Sequence, residues 1–500
     1  MNSQLLAEWK AAAGRVLANR QARLVAAALG LLFLLWWAWP FVGLLDKGAQ
    51  VLALARLAPA VLGLTGPKTY LVLVQNDDEL RPTGGYLTAA GTMTVSWGRV
   101  SSLDLADTST LDDPNAAYPA PPEPMGRYLD VDAWYLRDAN WSPDFPTTAQ
   151  TAEQLFTLGN PRTFDGVLTL DQAALRMLLE ATGPVTVPGV PGRVTAGNVV
   201  AQMRAARDPA PGQGVSYEWW LQRKEFIPKM AKAIFRQLIW TRPGSLLQAA
   251  IRVLDERHVN LWLRDEGAAG VLAARGWDGA LRPGDGDYVM LVEANLGYNK
   301  VNALTHTALT YAVNLAESAP TARLTVSQTN PAEGSLPCQP GPDYGTGTYQ
   351  DLMTRCYWSY LRLYTRPGAA LTGAATHPTP GAWLLTGVDE PGAVLTETAE
   401  AGTQTFGTLV VVPFAATLFT SFDYTLAPGV VQAEGGDFAY TLRVQKQAGT
   451  GAVPLRLEIR LPEGAVLIAG PRGGKVEDGV WVYSTDLLRD VEVSLRYRVN

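Results

Sequence analysis

The chain has 500 residues, more than one ordinary hydrophobic core holds, and 47% of them are apolar, so we expect two or three folded domains rather than a disordered protein. Its formal net charge is −6 at pH 7, while residues 1–23 carry a local basic excess. This distribution is typical of a membrane-orientation signal and argues against a nucleic-acid partner.

The N-terminus predicts a membrane anchor. Residues 1–23 form a basic tail, and residues 24–45 contain no charged residue and are long enough, at ~20 residues per crossing, to span a bilayer as a helix. We therefore predict a single-pass protein of the cell membrane with a cytoplasmic N-terminus and an extracytoplasmic bulk. The alternative is a cleaved signal peptide, because Ala53-Leu54-Ala55 resembles a cleavage site, although the apolar run exceeds the ~7–15 residues of a signal peptide.

The next segments predict a stalk and an α/β core. Residues 46–67 are apolar and indicate a helical juxtamembrane stalk. From residue 68 to residue 300, short strands alternate with helical runs, which is typical of an α/β layer fold, and residues 217–260 indicate a helical insertion in it. The apolar runs at 69–74 and 287–292 are each followed by polar residues, so we expect two strands of one sheet that end at the same edge.

The C-terminal half predicts strands and turns. We expect a β-rich region at residues 301–421 and an antiparallel, immunoglobulin-like β-sandwich at residues 422–500, where alternating runs are separated by glycine-rich turns. Cys338 and Cys356 both fall in the part assigned to an oxidising compartment, so we expect a disulfide that stabilises the fold by about 3 kcal/mol. Two unpaired buried thiols are the alternative.

A polar stretch at residues 75–85 follows an apolar strand of the kind that is covered on both faces. Ligands in open α/β sheets bind beyond the carboxyl ends of such strands. Arg81, together with the exposed amides that Gly84 and Gly85 permit, suits an anionic ligand. The alternative is a turn in which Glu79 and Arg81 form an ion pair that orders only the loop.

Common enzyme motifs are missing. The sequence has no Walker loop, no dinucleotide-binding glycine motif, no H-E-x-x-H motif and no nucleophile elbow. The three histidines, His258, His306 and His377, are far apart in sequence, so we expect neither a zinc site nor a histidine-dependent triad. Any chemistry would rest on carboxylates, arginines, lysines, backbone amides or a metal held by oxygen ligands.

Several motifs resemble an uncharacterised bacterial membrane-anchored family of the domain-of-unknown-function type. They are QNDDELRPTGGYL, YLRDANWSPDFPTTAQTAEQLF, FDGVLTLDQAALRMLLEATGPVTVPG and EANLGYNKVN. The signature N-x-x-E-L-R-P-T-G-G is specific, and the match covers most of the extracytoplasmic chain. That family has no settled activity.

A more distant resemblance is to the LytR-CpsA-Psr family, which transfers glycopolymers from a polyprenyl-pyrophosphate carrier to the cell wall. Arg81 and the strand after it resemble that family's Arg-Ser-Asp-Thr start, and residues 105–108 lie where its Pro-Arg-Asp-Thr motif falls. Two positions depart from the pattern, since Ala106 replaces the motif arginine and Pro82-Thr83 replace Ser-Asp. The resemblance implies a LytR-CpsA-Psr-like α/β core, and the departures leave enzymatic activity open.

The resemblance also implies site residues. Arg81, Asp107, Arg137 and Asp138 would be catalytic, with Arg137 and Asp138 replacing the charges lost at the two departing positions. Asp107 or Asp138 would hold Mg²⁺. Asp165 and Asp171 flank a predicted strand and are read as helix caps in preference to ligands. The expected ligand-binding residues come from the polar stretch, the arginine-rich segment and a strand-end loop that we expect to be exposed. They are Asn76, Glu79, Thr83, Gly84, Gly85, Arg204, Arg207, Arg223, Asn295, Asn299 and Lys300.

Two functions fit these features. The first is a membrane-anchored protein of the bacterial cell envelope that transfers or binds polyprenyl-pyrophosphate-linked glycopolymers, with the membrane, the lipid-linked glycan and a cell-wall polymer as partners. The second is a non-catalytic surface protein that binds envelope glycan or a protein partner.

Overall fold

The computed structural model describes residues 47–209, 219, 226–238, 240–341, 348–398 and 400–499. The basic tail and the predicted transmembrane helix at 24–45 lie outside these residues. Within the described ranges, no helix is both long and apolar enough to cross a membrane. The helices are α1 Gly48–Val61, α2 Glu123–Leu129, α3 Phe145–Gly159, α4 Gln172–Thr182, α5 Val199–Ala205, α6 Phe226–Leu238, α7 Pro243–Asp255, α8 Glu266–Arg275 and α9 Tyr349–Met353.

The strands belong to two units. The N-terminal α/β unit contains β1 Lys68–Asn76, β2 Tyr86–Ser96, β3 Arg99–Asp107, β4 Gly166–Leu170 and β5 Val259–Leu263. The C-terminal unit contains β6 Asp287–Asn295, β7 His306–Asn314, β8 Thr321–Asn330, β9 Tyr357–Thr365, β10 Ala370–Ala375, β11 Leu395–Thr398, β12 Gln404–Val412, β13 Ala416–Thr425, β14 Val431–Glu434, β15 Asp437–Val444, β16 Val453–Arg460, β17 Ala465–Ala469, β18 Lys475–Glu477, β19 Val480–Leu487 and β20 Val491–Val499.

The α/β unit is a five-stranded mixed sheet, in the order β3-β2-β1-β4-β5, with helices on both faces. Only β1 and β4 pair in parallel. Leu71 and Leu73 of β1 pack on one face with α3, whereas Val72 and Val74 pack on the other with α1, α4, α7 and α8. An apolar strand without alternation is what a sheet covered on both faces requires. The predicted α/β character is confirmed.

Carboxylate caps begin several of these helices. The side chain of Asp144 accepts a hydrogen bond from the N–H of Thr147 at the start of α3 (3.2 Å). Asp171 does the same at the start of α4, through the N–H of Ala174 (2.7 Å). The cap role of Asp171 is therefore confirmed, whereas Asp165 pairs with Lys68 (2.9 Å) and caps no helix of the described chain.

The C-terminal unit is a sandwich of two sheets that starts at β6. Its seven-stranded sheet has the order β10-β13-β8-β7-β16-β19-β18, and its eight-stranded sheet has the order β11-β12-β9-β6-β15-β20-β17, with β14 paired to β15. Alternate residues point inward, as in Leu455, Leu457 and Ile459 of β16, which are all buried. A β-rich C-terminal half is confirmed.

The strand pairing differs from the expected arrangement in two respects. β6 lies in the sandwich and β1 in the α/β sheet, so the two strands do not share a sheet. The predicted boundary between residues 421 and 422 falls inside β13, and β15 and β16 insert in parallel beside β6 and β7. The reason is that every residue of β6 is buried, so this strand needs a hydrogen-bonded partner on each side. β9 is one partner and β15 is the other.

Cys338 and Cys356 form a disulfide, as expected. Both sulfurs lie in a buried apolar cluster with Trp358 of β9 and Met125 of α2. The disulfide therefore fastens the loop before β9 at the side of the sandwich that faces the α/β unit.

The two units meet around the polar stretch. The N–H of Asn295 in β6 donates to the carbonyl of Leu80 (2.9 Å), and Gln447 Nε2 donates to the carbonyl of Arg81 (3.2 Å). Arg257 next to β5 forms a two-point ion pair with Asp490 of the sandwich (3.0 and 2.7 Å). Polar residues from both units therefore line the space between them.

Candidate functional site

The two parallel strands bring the polar stretch to one edge of the five-stranded sheet. Because β1 and β4 run in parallel, the residues after Asn76 and after Leu170 lie side by side, at the edge where open α/β sheets bind ligands. There Gln172 Nε2 donates to Asn76 Oδ1 (2.6 Å), and the N–H of Gln172 donates to Asp77 Oδ1 (3.3 Å).

Five polar residues form a buried cluster between the units, which we call the polar joint: Glu79, Arg81, Asp138, Asn295 and Lys300. The side chain of Arg81 is 1% exposed, and one terminal nitrogen donates to Glu79 (3.1 Å) and Asp138 (3.3 Å). The other terminal nitrogen donates to the carbonyl of Asn295, and Lys300 pairs with the second oxygen of Glu79. Arg81 Nε is buried without a partner in the described chain.

The charges in the polar joint compensate one another. Burial opposes ionisation of Glu79, but Lys300 and Arg81 outweigh it and lower the pKa of Glu79 below its usual value. Burial lowers the pKa of Lys300 to about 8, against the opposing effect of Glu79. Glu79 is therefore ionised and Lys300 largely protonated at neutral pH. Because both terminal guanidinium nitrogens already donate hydrogen bonds within the polar joint, Arg81 cannot form a bidentate contact with a phosphate in this conformation.

The glycines of the polar stretch serve close backbone packing. A Cβ on Gly85 would lie 2.4 Å from the carbonyl of Asn76, and one on Gly84, which has φ +142°, would lie 2.3 Å from the side chain of Gln75. Thr83 Oγ1 accepts a hydrogen bond from Gln75 Nε2 (2.9 Å), and the carbonyl of Gly85 accepts one from Asn140 (2.8 Å). These residues therefore hold the chain against β1.

The two predicted Mg²⁺ ligands, Asp107 and Asp138, each have other partners. Asp107 accepts hydrogen bonds from the N–H and hydroxyl of Ser109 (3.0 and 2.8 Å) and caps a short 3-10 helix. Asp138 pairs with Arg81 and lies 3.6 Å from Arg137 Nε. Among the described residues, no group of three histidine, cysteine or carboxylate side chains could hold a metal ion.

Two arginines of the predicted arginine-rich segment meet beside the polar stretch. Arg204 of α5 forms a two-point ion pair with Asp78 (2.9 and 2.6 Å), which also accepts a hydrogen bond from Tyr349 (2.6 Å). The guanidinium of Arg207 lies 5.5 Å from the centre of the Tyr349 ring, and Tyr349 bonds to Asn76 (3.0 Å). Arg223 lies outside the described residues.

The loop after β6 is buried, in contrast to the exposed loop we expected. Asn295 and Asn299 are fully buried, and Lys300 is 4% exposed. Asn295 Nδ2 donates to Asn299 Oδ1 (3.0 Å), while Asn299 Nδ2 donates to the carbonyl of Cys356 (3.1 Å). These amides satisfy backbone and side-chain groups at the joint, which a buried loop requires.

A cleft of about 830 Å³ opens between the two units next to the polar stretch. This volume is within the range of small-molecule sites. The residues that line it from the α/β unit include Asp77, Gln172, Arg176, Arg252 and His258, and those from the sandwich side include Glu293, Asn302, His306, Thr307 and Thr450.

The cleft contains an arginine without an ion-pair partner in the described chain, whereas its carboxylates are paired or have a raised pKa. Burial, followed by the charges of Asp171 and Asp78, raises the pKa of Asp77 well above its usual value. Burial likewise raises the pKa of Glu293. Asp78 and Glu256 are paired with arginines. In contrast, Arg176 of α4 and His306 of β7 are exposed and form no ion pair within the described chain.

One histidine of the cleft is oriented by a carboxylate. His258 Nδ1 lies 2.7 Å from Asp171 Oδ2, and both residues are buried. The carboxylate can accept a hydrogen bond from Nδ1–H, which leaves Nε2 as the ring nitrogen available to another group. This pair orients an imidazole for contact with a bound group.

The sequence indicates the edge of the sheet but not the residues of the cleft. Arg176, His258 and His306 come from three separate elements, and the wide spacing of the two histidines in the sequence predicts no shared site for them. The only local signal was the arginine on the helix that directly follows β4, and nothing in the sequence indicates that the sandwich covers that edge.

Comparisons with solved structures give low similarity. The Lin1025 protein from Listeria innocua is 12% identical (TM-score 0.23), with 42% of this chain and 79% of that chain covered. A transcriptional regulator from Enterococcus faecalis is 12% identical (TM-score 0.25; 43% and 72%), and the transcriptional regulator yvhJ from Bacillus subtilis is 11% identical (TM-score 0.22; 43% and 78%). At these TM-scores the likenesses establish neither a shared fold nor a shared function.

A comparison with family models is more specific. No curated protein matches this sequence. One family model matches residues 65–207, which contain β1 to β4, the polar stretch and Arg204, and its description is "Protein of unknown function (DUF4012)". The expectation of an uncharacterised domain-of-unknown-function family is thus confirmed for residues 65–207, a shorter match than the expected one over most of the extracytoplasmic chain.

Proposed function

We propose that this protein is a membrane-anchored, extracytoplasmic protein of the bacterial cell envelope that binds a phosphate-bearing envelope glycan in the cleft, without transferring it. The observation that carries the proposal is the charge of the cleft. Its acids are paired with arginines or have a raised pKa, whereas the guanidinium of Arg176 is exposed and uncompensated.

The shape and composition of the cleft support a glycan with an anionic group. A volume of about 830 Å³ admits more than a free phosphate ion. Threonine and amide side chains line the sandwich side and offer donors and acceptors to sugar hydroxyls. Arg176 supplies a cationic donor for a phosphate, for which charge-assisted hydrogen bonds are the strongest available interaction, and His306 adds an imidazole that can hydrogen-bond.

The proposed location is supported by two features. The Cys338–Cys356 disulfide is of a kind that persists in oxidising compartments outside the cytoplasm. The uncharged residues 24–45, preceded by a basic tail, predict an anchor with the rest of the chain outside.

Binding has more support than transfer. In the LytR-CpsA-Psr resemblance, Arg81 would clamp the pyrophosphate and Asp107 and Asp138 would hold the metal. Arg81 is instead buried in the polar joint, and each carboxylate is committed to other partners. Phosphoryl transfer depends on cations placed around the phosphate oxygens, and these three residues do not supply such a set.

A titration tests the proposal. N-acetylglucosamine 1-phosphate and the unphosphorylated sugar are titrated calorimetrically into the full chain in detergent. We expect the phosphorylated sugar to bind more tightly, and Arg176→Gln to weaken its binding about tenfold, the effect of losing one charge-assisted hydrogen bond. Arg162→Gln is the matched control, because Arg162 is also an exposed arginine but lies outside the cleft.

Two results would count against the proposal. Equal affinity of wild type and Arg176→Gln, or no binding of the phosphorylated sugar, would remove the cleft as the site. The second assay uses a short-chain polyprenyl-pyrophosphate-linked sugar. If polyprenyl phosphate is released from it at a rate that depends on protein concentration, the protein transfers the glycan and does not only bind it.

A further inference from the structure

The outer face of α1 is apolar and exposed. Ala53 and Leu57 of this helix are buried against the α/β unit. On the opposite face, exposed residues recur at intervals of three or four, which is the spacing of one helix face. They are Gly48, Leu52, Ala55, Arg56, Pro59 and Leu62.

The tip of the β2–β3 hairpin extends this face. The N–H of Trp97 donates to the carbonyl of Gly63 (3.1 Å), and the N–H of Gly98 donates to the carbonyl of Leu62 (2.8 Å), which places the hairpin tip at the C-terminal end of α1. The side chain of Trp97 is 74% exposed. We call the exposed face of α1 together with Trp97 the α1–Trp97 surface.

Trp97 occupies an unfavourable backbone position without gaining burial. Trp97 and Gly98 have φ +50° and +71°, the left-handed conformation that a two-residue hairpin turn of this type requires at both positions. Asparagine or glycine normally occupies the first position, because a bulky side chain is strained there. A large indole held in a strained turn and left in solvent has no packing role within the described chain.

The charged residues in and next to the α1–Trp97 surface are basic. Residues 47–67 contain no aspartate or glutamate, whereas Lys47 and Arg56 are basic. Arg99, directly after the hairpin tip, is exposed as well. An apolar helix face with basic residues and a tryptophan at its end is the composition of helices that lie in the interface of a lipid bilayer.

The preceding chain indicates where the bilayer is. The uncharged apolar segment 24–45 ends two residues before Lys47, so the start of α1 is covalently held close to any membrane that this segment enters. α1 has 14 residues, about 20 Å of helix at ~1.5 Å per residue. A helix of that length would carry Leu62 and Trp97 away from the bilayer if it stood upright as a stalk.

We propose that α1 lies flat on the outer surface of the lipid bilayer, with the α1–Trp97 surface inserted among the lipid headgroups. The α/β unit then rests directly on the membrane rather than on a stalk. This inference goes beyond the proposed function, because it concerns a surface separate from the cleft and holds whatever the cleft binds.

Depth-dependent quenching tests the inference. Because the two native cysteines are joined in the disulfide, a single engineered thiol can be labelled with nitrobenzoxadiazole in Ala55→Cys and Trp97→Cys variants of the full chain. The control is Phe419→Cys, a position on the sandwich that is 60% exposed. The proteins are reconstituted in phosphatidylcholine–phosphatidylglycerol vesicles with and without headgroup-proximal spin-labelled lipid.

We expect the spin-labelled lipid to reduce the emission of the labels at positions 55 and 97 at least twofold, and to leave the label at position 419 unchanged. Quenching of all three labels by aqueous iodide with none by the lipid would overturn the inference. Protection of positions 55 and 97 from both quenchers would also overturn it, because a second copy of the chain would then cover the surface. Thermal melts of the labelled variants confirm that each is folded, and none of these outcomes depends on glycan binding.

Discussion

Arg81 owes its buried position to three acceptors supplied by three separate segments. Glu79 lies in the same turn, Asp138 in a short 3-10 helix, and the carbonyl of Asn295 in the sandwich. A guanidinium removed from water is tolerated only when such partners replace its hydration. Arg81 therefore links the two units through its ion pairs and its hydrogen bond to the sandwich.

The first prediction concerns this residue. Arg81→Met leaves Asp138 without the arginine and Glu79 with Lys300 as its remaining cation, so we expect the free energy of unfolding to fall by about 3 kcal/mol, as for other broken buried ion pairs. Urea denaturation measures this change. Arg323→Met is the control, because Arg323 forms an exposed pair with Asp423 (2.5 Å) and its loss should cost at most about 1 kcal/mol.

The Arg81→Met variant also distinguishes a structural role of Arg81 from a role in ligand binding. If Arg81 is structural, the folded variant should bind N-acetylglucosamine 1-phosphate as wild type does. A large loss of affinity with little loss of stability would return Arg81 to the ligand-binding role that the sequence suggested.

At the level of elements, the chain can pass from the polar stretch into β2 only because residue 85 is a glycine and has no side chain. Gly85 crosses the backbone of β1 so closely that an added Cβ would lie 2.4 Å from the carbonyl of Asn76 and 2.6 Å from the nitrogen of Asp77. Because backbone atoms of a central strand do not yield, the two segments would have to separate. The hydrogen bonds at the carboxyl end of β1 depend on this close passage.

We therefore expect Gly85→Ala to lower the free energy of unfolding by about 3 kcal/mol, the upper end of the cost of overpacking. The matched control is Gly270→Ala in α8, where an added Cβ would meet nothing within 4 Å. In an exposed helix interior this change should raise stability by about 0.5–1 kcal/mol. Opposite shifts in the urea midpoints of the two variants are the expected result; a neutral Gly85→Ala would contradict the packing argument.

At the level of the whole molecule, a second buried lysine lies where the units meet. Lys446 follows β15, is fully buried, and donates hydrogen bonds to the carbonyls of Gln447 (3.1 Å) and Thr450 (2.6 Å). Burial lowers the pKa of Lys446 to about 7, against the attraction of Asp171 in the α/β unit. Assembly of the two units thus favours the neutral amine.

This pKa predicts the pH dependence of stability. Between pH 7 and an unfolded pKa near 10.5, the unfolded chain binds a proton that the folded chain has lost, so the free energy of unfolding rises with pH. From pH 7 to pH 9 the contribution of Lys446 is about 2 kcal/mol. Lys446→Met should remove this increment and leave the smaller one from Lys300, whose pKa is about 8.

Urea titrations at pH 7, 8 and 9 compare the two proteins. The window ends at pH 9 because the tyrosines with raised pKa values, such as Tyr288, begin to oppose the rise once unfolded tyrosines ionise near pH 10. The assignment fails if wild type and Lys446→Met show the same slope of stability against pH.

Much of the fold was readable from local patterns. The unbroken apolar run of β1 indicated a strand covered on both faces, Asp171 indicated the start of α4, and the two cysteines indicated a disulfide. Each of these depends on periodicity, capping chemistry or the compartment predicted for the chain, and all three are inferred from neighbouring residues and composition. The same patterns placed the polar stretch at the carboxyl edge of the sheet.

Only the tertiary structure decided what that edge faces. The sequence predicts an exposed loop for Asn295 and Lys300, yet β6 lies in the sandwich and brings both against Glu79 and Arg81. Arg176, His258 and His306 form one cleft although they are distant in sequence. Local sequence determines which segments become strands and helices. Contacts between residues more than 200 positions apart form only when the two units pack against each other. Because of those contacts, Arg81 is a buried residue of the polar joint and not the anion-binding residue that the sequence predicted.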